Sequence, residues 1–464
     1  MSLAVLRSRA LAGMSALPVT VEVHLANGLP AFTIVGLPDT EVKEARDRVR
    51  AALQNARFEF PARRITINLA PADLPKESGR FDLAMALGIL AASGQIPADR
   101  LDEHEYAGEL SLSGQLLPIR GALAMTCAIQ RDTQAHGETA GHQRSFILPA
   151  ANADEAALVP QACILPATSL LDVCAHFSTR DQRERLQPHQ ARAAAPRPAY
   201  PDFSDIKGQW QARRAMEVAA AGQHSMLLVG PPGAGKSMLA TRFPGILPPM
   251  TQEQALESAA VQSLSGSFDI SRWQQRPFRA PHHTASAVAL VGGGSTPRPG
   301  EISLAHHGVL NPCPCGLHGE ASGRCRCTPE LVRRYQARLS GPLLDRIDMQ
   351  LQVGALSPAE LAAHQPGEPS AAIAPRVALA FERQLQRQGK PNSQLSGSEI
   401  DRYCQPDQAA SQLLQAAMVR LEWSARAYHR VLKLARTIAD LATSDALGQA
   451  HVAEAIQYRR GLAD

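Results

Sequence analysis

The run Gly230-Pro-Pro-Gly-Ala-Gly-Lys236-Ser237 limits what this chain can fold into more than any other part of it. It fits GxxxxGK[ST] and follows Ser225-Met-Leu-Leu-Val229, an apolar stretch that reads as a buried strand. A strand, a glycine-rich turn and a helix in that order let the backbone curl until its N–H groups converge on phosphate oxygens. The start of the following helix adds a favourable dipole. In this arrangement Gly230, Pro231, Pro232, Gly233, Ala234 and Gly235 form a cradle, Lys236 reaches the β- and γ-phosphates, and Ser237 ligates magnesium. ATP and Mg2+ are therefore the expected cofactors. Asp205-Ile-Lys-Gly-Gln209 precedes the strand, where a backbone wrap around adenine can form.

A phosphate loop only binds. Hydrolysis also needs an apolar strand ending in an acid that holds magnesium, usually with a second acid to activate water. Between Ser237 and Arg346, Glu253, Glu257, Asp269, Glu301, Glu320 and Glu330 all lack a preceding apolar run, and Asp345 follows only Pro-Leu-Leu.

The 464 residues suggest about three domains. At 45% hydrophobic and 19% charged, the chain is globular rather than disordered. A net charge of +4 decides nothing about nucleic acid, which only a local patch could settle. The longest apolar run, Leu83 to Ala92, is about half of what a membrane span needs. Arg7 and Arg9 interrupt the first apolar stretch, and no signal-peptide order follows. No membrane contact and a cytoplasmic location are expected.

From Val19 to Thr179 the pattern is mixed α/β. Val19 to Leu25 alternates as a half-buried strand, Asn27-Gly28 supplies a hairpin turn, and Phe32 to Val35 is a second strand. Asp39 or Thr40 can cap a helix through Val42, Ala45, Val49 and Leu53. Ile65 to Leu69 reads as a strand and Phe81 to Ala92 as an apolar helix. Ser178 to Pro201, rich in Arg, Gln, Ala and Pro, reads as a linker. Beyond about Leu356 the chain turns helical, with apolar residues at helical spacing in Pro375 to Gln388 and Ala409 to Leu441.

Four of the eight cysteines are scattered (Cys127, Cys163, Cys174 and Cys404) and read as buried or idle thiols. Cys313-x-Cys315 and Cys325-x-Cys327 bracket nine residues, and four thiolates on one loop can satisfy tetrahedral Zn2+. The usual spacing is two residues between paired cysteines, so reduced, solvent-facing thiols or a redox-labile loop is the plain alternative. Arg324, Arg326, Arg333, Arg334 and Arg338 make a basic face that could touch phosphate backbones; a generic solvated face is equally consistent. His282, His283, His306 and His307 come in adjacent pairs. Neighbours on a strand point apart, so these are not read as metal ligands.

Several segments carry a resemblance over nearly the whole length. They are Val21 to Asp39, the loop from Gly230 to Ser237, Phe278-Arg-Ala-Pro-His-His283 and Pro299 to His307, then Asn311-Pro-Cys-Pro-Cys-Gly316 and Leu339 to Asp348. On these the chain resembles the ComM/YifB family, magnesium-chelatase-like ATPases of the AAA+ class. The resemblance implies an α/β fold in three parts. Residues 1–177 would form a domain like the Lon protease domain (ribosomal-S5-like), 178–203 a linker, and 204–355 an AAA+ core with a Cys-rich loop at 311–328. Residues 356–464 would form a helical lid. It also implies a homo-hexamer, and a DNA partner through the association of ComM with branch migration during natural transformation. By position, Asn311 looks like the sensor that polarises the attacking water. Arg346 looks like the finger reaching a neighbouring subunit's γ-phosphate, and Arg426, in Ser424-Ala-Arg-Ala, like the lid's sensor arginine.

The chain departs from the family pattern at one junction. In the family, His-His-Gly-Val-Leu leads into the acidic motif, a helix, a pore-facing β-hairpin and a strand ending at the sensor asparagine. Here Leu310 abuts Asn311. The resemblance thus implies that this block is missing, with both hydrolytic carboxylates, so that ATP binding without efficient hydrolysis is expected. In the Lon-like segment Pro75-Lys-Glu-Ser-Gly-Arg-Phe-Asp82, Arg80 stands where a nucleophile would align, and Ser78 lies two positions away. Leu117 to Met125, where the base would lie, has no lysine, which argues against protease activity. Two further readings remain: a chelatase-type ATPase subunit that remodels a partner enzyme, and a non-catalytic nucleotide-binding module.

Overall fold

A computed structural model of the protein describes residues 2–12, 15–135, 144–178, 185–190, 200–230, 234–279, 289, 292–293, 298–310, 347–354 and 367–459. The chain divides into two units. One comprises Met1–Pro196, Gln252–Trp273 and Gly293–Pro299, the other Arg197–Thr251, Gln274–Gly292 and Gly300–Asp464.

In the first unit, strands β1 (Leu3–Ala12), β2 (Ser15–Ala26), β3 (Ala31–Val35), β4 (Arg64–Ala70) and β5 (His104–Tyr106) precede a small hairpin, β6 (Glu109–Leu110) and β7 (Leu116–Leu117). Strands β8 (Ser145–Pro149) and β9 (Ile164–Ala167) follow. Seven of them form one sheet in the order β3-β4-β2-β1-β5-β8-β9. The pairs β1–β2 and β2–β4 are antiparallel, and β3–β4, β1–β5, β5–β8 and β8–β9 parallel.

Two sequence expectations change here. The apolar start of the chain is a strand, because Ala4, Leu6 and Ser8 alternate inward and Arg9 is neutralised within the fold. The Asn27-Gly28 hairpin is corrected. β4 lies between β2 and β3, with Val21 opposite Leu69 and Thr33 opposite Thr66, so the two strands flanking that turn are not neighbours.

Helix α1 (Thr40–Asn55) starts where expected, with the Asp39 carboxylate accepting the Val42 N–H at 2.8 Å. Its Val42, Ala45, Val49 and Leu53 are buried. Helix α2 (Asp82–Ala92) is buried along all 11 residues. Gly88 lets it lie against β2, since a Cβ there would fall 2.4 Å from Val23 Cγ2. Helix α3 (Ala122–Ala135) packs Ala122, Met125 and Ile129 against Phe146, Leu148 and Ile164 of β8 and β9. Helices α4 (Ala153–Ala156) and α5 (Leu170–Ser178) flank β9. The helix Gln252–Ser265 joins this unit through Ala259, which packs with Leu123, Leu158 and Val159.

The second unit contains α6 (Trp210–Gly222), β10 (Met226–Val229), α7 (Lys236–Arg242) and β11 (Met349–Gln352). Beyond β11, five helices follow among the described residues: α8 (Ser370–Gln388), α9 (Gly397–Tyr403), α10 (Gln408–Arg420), α11 (Ala425–Leu441) and α12 (Gln449–Gln457). Its core joins Met216 and Val218 of α6 to Met349 and Leu351 of β11, Val377 of α8, Val431 and Leu434 of α11 and Val452 of α12. The stretch Ala409 to Leu441 is two helices rather than one. Glu422 adopts a left-handed φ of 48° between them, and Ser424 caps α11 by accepting the Ala427 N–H at 3.3 Å.

Strand β10 also differs from expectation. Its apolar run predicts full burial, yet Met226, Leu227, Leu228 and Val229 are each half-buried. The physical reason is pairing. Among the described residues β10 is bonded only to β11, in a parallel pair running from Met226–Met349 to Val229–Gln352. A second parallel pair joins Phe278–Arg279 to Val309–Leu310. No helix of the described residues is long and apolar enough to cross a membrane.

A buried histidine pair sets a pH dependence in the first unit. His104 and His176 meet edge to face at 5.4 Å between ring centroids, and His104 meets Phe177 at the same distance. Both His104 nitrogens lack a hydrogen-bond partner among the described residues. Burial, followed by the charge of nearby basic groups, pushes each imidazole down to about 4. An unfolded histidine titrates near ~6.5, so the unfolded chain takes up protons first on acidification. The stability from keeping His104 neutral is complete above about pH 6.5 and is lost as pH falls towards 4, on the order of 3 kcal/mol. Asp82, pushed up to about 6 by burial, works in the opposite sense, so the test must be differential. We expect the urea midpoint of His104→Phe to fall less between pH 7 and pH 5 than that of the unsubstituted protein. Equal falls would sink this account.

Candidate functional site

Strand β10 delivers the chain to Gly230, where a side chain has no room. A Cβ there would lie 2.1 Å from the Val353 carbonyl oxygen. Val353 in turn donates its N–H to the Val229 carbonyl at 2.6 Å, so loop and strand are pressed together at this point. Gly235 has a φ of +86°, a conformation that costs a side-chain-bearing residue about 1–2 kcal/mol, and leads into α7. Lys236 Nζ donates to the Gly230 carbonyl at 2.9 Å, which holds the ammonium back over the loop's own entry. Ser237 is buried beside it. Ala234, Gly235, Lys236 and Ser237 are thus placed at the end of a strand and the start of a helix, while Pro231, Pro232 and Gly233 lie outside the described residues.

The segment ahead of the strand reaches this loop. Gly208 and Gln209 have successive left-handed φ values of 56° and 49°. The Gln209 Nε2 then donates to the Ala234 carbonyl at 3.3 Å and to the Gly354 carbonyl at 2.8 Å. Gln209 therefore ties the loop to the chain leaving β11. Behind it, the Phe203 N–H donates to Ser370 Oγ at 2.9 Å, and the Ser370 N–H at the head of α8 donates to the Asp202 carboxylate at 3.3 Å. Trp210, 68% exposed, has the Arg213 guanidinium 4.9 Å from its ring centre.

Arg426 lies exposed in the first turn of α11. One turn further, Arg430 fastens the start of β11. Its Nη1 donates to the Ile347 carbonyl at 3.1 Å, as Arg459 does at 2.7 Å, and its Nε stands 3.7 Å from the Asp348 carboxylate. Ser225 donates its N–H and hydroxyl to the same carboxylate at 3.2 Å, with His224 Nδ1 at 3.5 Å. Burial raises the Asp348 pKa, but the His224 contact, the Ser225 bond and Arg430 outweigh it and hold the carboxyl below its ordinary value. Gln209 lies in the segment the sequence placed ahead of the strand, but its ties to Ala234 and Gly354 were missed, as were the roles of Asp348 and Arg430. Asp348 does lie in the Leu-Leu-Asp-Arg-Ile-Asp run, and that acid was the available signal.

Asn311, Arg346 and all four clustered cysteines, Cys313, Cys315, Cys325 and Cys327, lie outside the described residues. His306 and His307 are not on a strand, as the sequence suggested. They occupy a turn, His307 has φ 58°, and their rings are 4.0 Å apart. In the segment from Pro75 to Asp82, Ser78 has a left-handed φ of 66° and its hydroxyl accepts from Arg80 Nε at 2.8 Å, while Lys76 Nζ donates to the Pro71 carbonyl. The Arg80 guanidinium is 5% exposed, and burial lowers its pKa to about 10.

The close approach at Gly230 has a measurable consequence. We expect Gly230→Ala to force β10 from β11 at about 1–3 kcal/mol and to weaken nucleotide binding at least tenfold. Titration with a fluorescent ATP analogue reads this, and an unchanged affinity would contradict it.

Comparison with known proteins agrees with this geometry. The family described as magnesium chelatase, subunit ChlI, matches residues 202–311 and 310–361. Subunit ChlI of Mg-chelatase matches 21–152, and the ChlI C-terminal family matches 367–459. The YifB protein of Salmonella typhimurium is 44% identical over 507 residues, covering 99% of this chain and 97% of that protein. YifB of Escherichia coli is 43% identical with the same coverage. The competence protein ComM of Haemophilus influenzae is 43% identical over 510 residues, covering 99% and 98%. On this full-length identity and the three family matches, the chain belongs to the ComM/YifB family of magnesium-chelatase-like proteins.

Proposed function

We propose that the chain is an ATP-binding protein of the AAA+ class that holds its nucleotide at Gly230 to Ser237 and turns it over poorly. The observation that carries the first half is the loop itself: Gly230 pressed onto the Val353 backbone, Gly235 left-handed, and Lys236 held on the Gly230 carbonyl. A bound nucleotide's phosphates would take that lysine from the carbonyl, and the Ser237 hydroxyl is the group available to Mg2+. Magnesium would neutralise phosphate charge there; the chain's part is to bind and orient. Arg426 is the lid cation offered to the nucleotide, with Asn311 as the water-orienting sensor and Arg346 as the finger supplied to a neighbouring copy in a hexamer.

Impaired turnover is supported by the half-buried β10 and its single described partner. It is also supported by the chelatase match, whose two segments meet at residues 310 and 311. The alignment to YifB runs over 507 positions although the chain has 464 residues. These observations favour the loss of a strand–helix–hairpin–strand block between Leu310 and Asn311. The proposed division is a Lon-like domain at 1–177, a linker at 178–203, the AAA+ core at 204–355 with a zinc-binding cysteine loop at 311–328, and a lid at 356–464.

The relative named competence protein ComM favours DNA as the partner of this family member. The chelatase family matches favour a second reading, an ATPase subunit that remodels a partner enzyme. A non-catalytic nucleotide-binding module is the limit reached if no turnover survives. The test is binding of a fluorescent ATP analogue with and without single- and double-stranded DNA. We expect saturable binding that Lys236→Ala weakens at least tenfold and DNA alters. Equal binding by Lys236→Ala rejects the assigned site, and indifference to DNA moves the partner to a protein.

A further inference from the structure

The first unit contains a cavity of about 250 Å³ along the middle of β1 and the facing stretch Pro18 to Thr20 of β2, bordered by β5 and the end of α3. Its lining is polar and carries more positive than negative charge: Arg7, Arg9 and Arg144 against Glu105 and Asp132. These charges are not equivalent. Arg9 is 3% exposed and already committed, with Nε and Nη2 on the Glu105 carboxylate at 2.7 and 2.9 Å and Nη1 on Asp132 at 2.8 Å. Both acids are thereby neutralised in part. Arg7 and Arg144 make no ion pair among the described residues, and the buried Nε of Arg144 has no hydrogen-bond partner.

A buried guanidinium N–H without an acceptor carries a desolvation cost that a bound acceptor would remove. The acceptor must be anionic, because the uncommitted charges are both cations. It must also offer oxygens in different directions, to meet two guanidinium groups together, with Thr20 also in the lining. A phosphoryl group meets both requirements, and planar guanidinium forks suit it.

We propose that this cavity is a phosphoryl-binding site, separate from the Gly230 to Ser237 loop. Arg144 and Arg7 hold the group, and the Arg9–Glu105 pair is the rigid floor. The phosphoryl group comes from either a small phosphomonoester or a phosphodiester backbone.

The experiment is calorimetric titration of the full chain carrying Lys236→Ala, so that loss of the loop and loss of this site are distinguishable. The probes are inorganic phosphate and dimethyl phosphate. We expect inorganic phosphate to bind with a dissociation constant on the order of 1 mM. The affinity should fall as salt rises, drop at least tenfold on adding Arg144→Gln, and drop about threefold with Arg7→Gln. Arg144 makes no ion pair among the described residues and its Nε has no hydrogen-bond partner, so Arg144→Gln should keep the parent's circular dichroism and melting midpoint. Dimethyl phosphate binding within about threefold of inorganic phosphate assigns the source to a phosphodiester backbone, and its exclusion assigns a phosphomonoester. Absence of saturable phosphate binding in the Lys236→Ala protein, or undiminished binding with Arg144→Gln, overturns the proposal and leaves a water-filled cavity.

Discussion

The purified protein is expected to hydrolyse ATP no faster than its Lys236→Ala variant, with or without DNA, while still binding a fluorescent ATP analogue. A water-activating carboxylate is worth about 10²–10⁴ in rate, and the acid that holds magnesium adds to that. Neither is available among the described residues. In a parallel pair both strands run the same way, so a magnesium acid beside the loop must stand at the end of β10 that leads into Gly230. Asp348 stands at the opposite end, bonded to Ser225, and four strand residues at ~3.3 Å each separate it from the loop. Glu301 is engaged by Arg279 at 2.7 and 2.8 Å, and Asp269 is turned onto Ser271. Turnover above the Lys236→Ala blank, raised by DNA, would mean that another acid serves, and the reading of a lost hydrolytic block would fail. Turnover equal to the blank with retained binding leaves a nucleotide-binding protein that does not hydrolyse.

What the sequence made legible follows from the range of the interactions involved. Helix α1 could be read because its signals are local: Asp39 caps it, and Val42, Ala45, Val49 and Leu53 recur at helical spacing. The passage from strand β10 through a glycine turn into α7 could be read because consecutive residues carry it. By contrast, β1 was obscured by Arg9, whose neutralising partner Glu105 lies 96 residues away. The Asn27-Gly28 turn looked like a hairpin because the intervention of β4 is a tertiary fact that no turn dipeptide encodes. An apolar run reports that a strand prefers burial, but not whether neighbours exist to bury it, and β10 remains half-buried. The ties around the site were hidden for the same reason. Gln209 reaches Gly354 across 145 positions, Ser225 reaches Asp348 across 123, and Arg430 reaches Ile347 across 83.

The second large effect is expected from Asp440→Ala in α11. The Asp440 carboxylate is buried and accepts from four groups. Arg387 binds it through Nη1 at 2.6 Å and Nη2 at 2.9 Å, Arg436 Nε at 3.2 Å and Asn392 Nδ2 at 2.9 Å. Asn392 Nδ2 also donates to Thr437 Oγ1 at 3.0 Å, and Thr437 meets His224 Nε2 at 2.8 Å, one residue before Ser225. Gln384 closes the network by accepting the Asn392 N–H and donating to the Ala221 carbonyl of α6. Removing Asp440 leaves two guanidinium groups without their counter-charge, Arg436 at only 4% side-chain exposure. Breaking a buried ion pair from one side costs about 3–5 kcal/mol, whereas an exposed pair is worth about 0–1. Arg383 of α8 with the fully exposed Asp445, in the bend that follows α11, supplies the contrast. Amide exchange along α11 should therefore accelerate roughly a hundredfold or more in Asp440→Ala and by less than about fivefold in Arg383→Ala. Because α11 carries Arg426 and anchors Ile347 through Arg430, the same variant should also weaken binding of the ATP analogue. Comparable exchange in the two variants would mean that the buried carboxylate does not hold the helical part together, and that α11 is fixed to β11 by its apolar face alone.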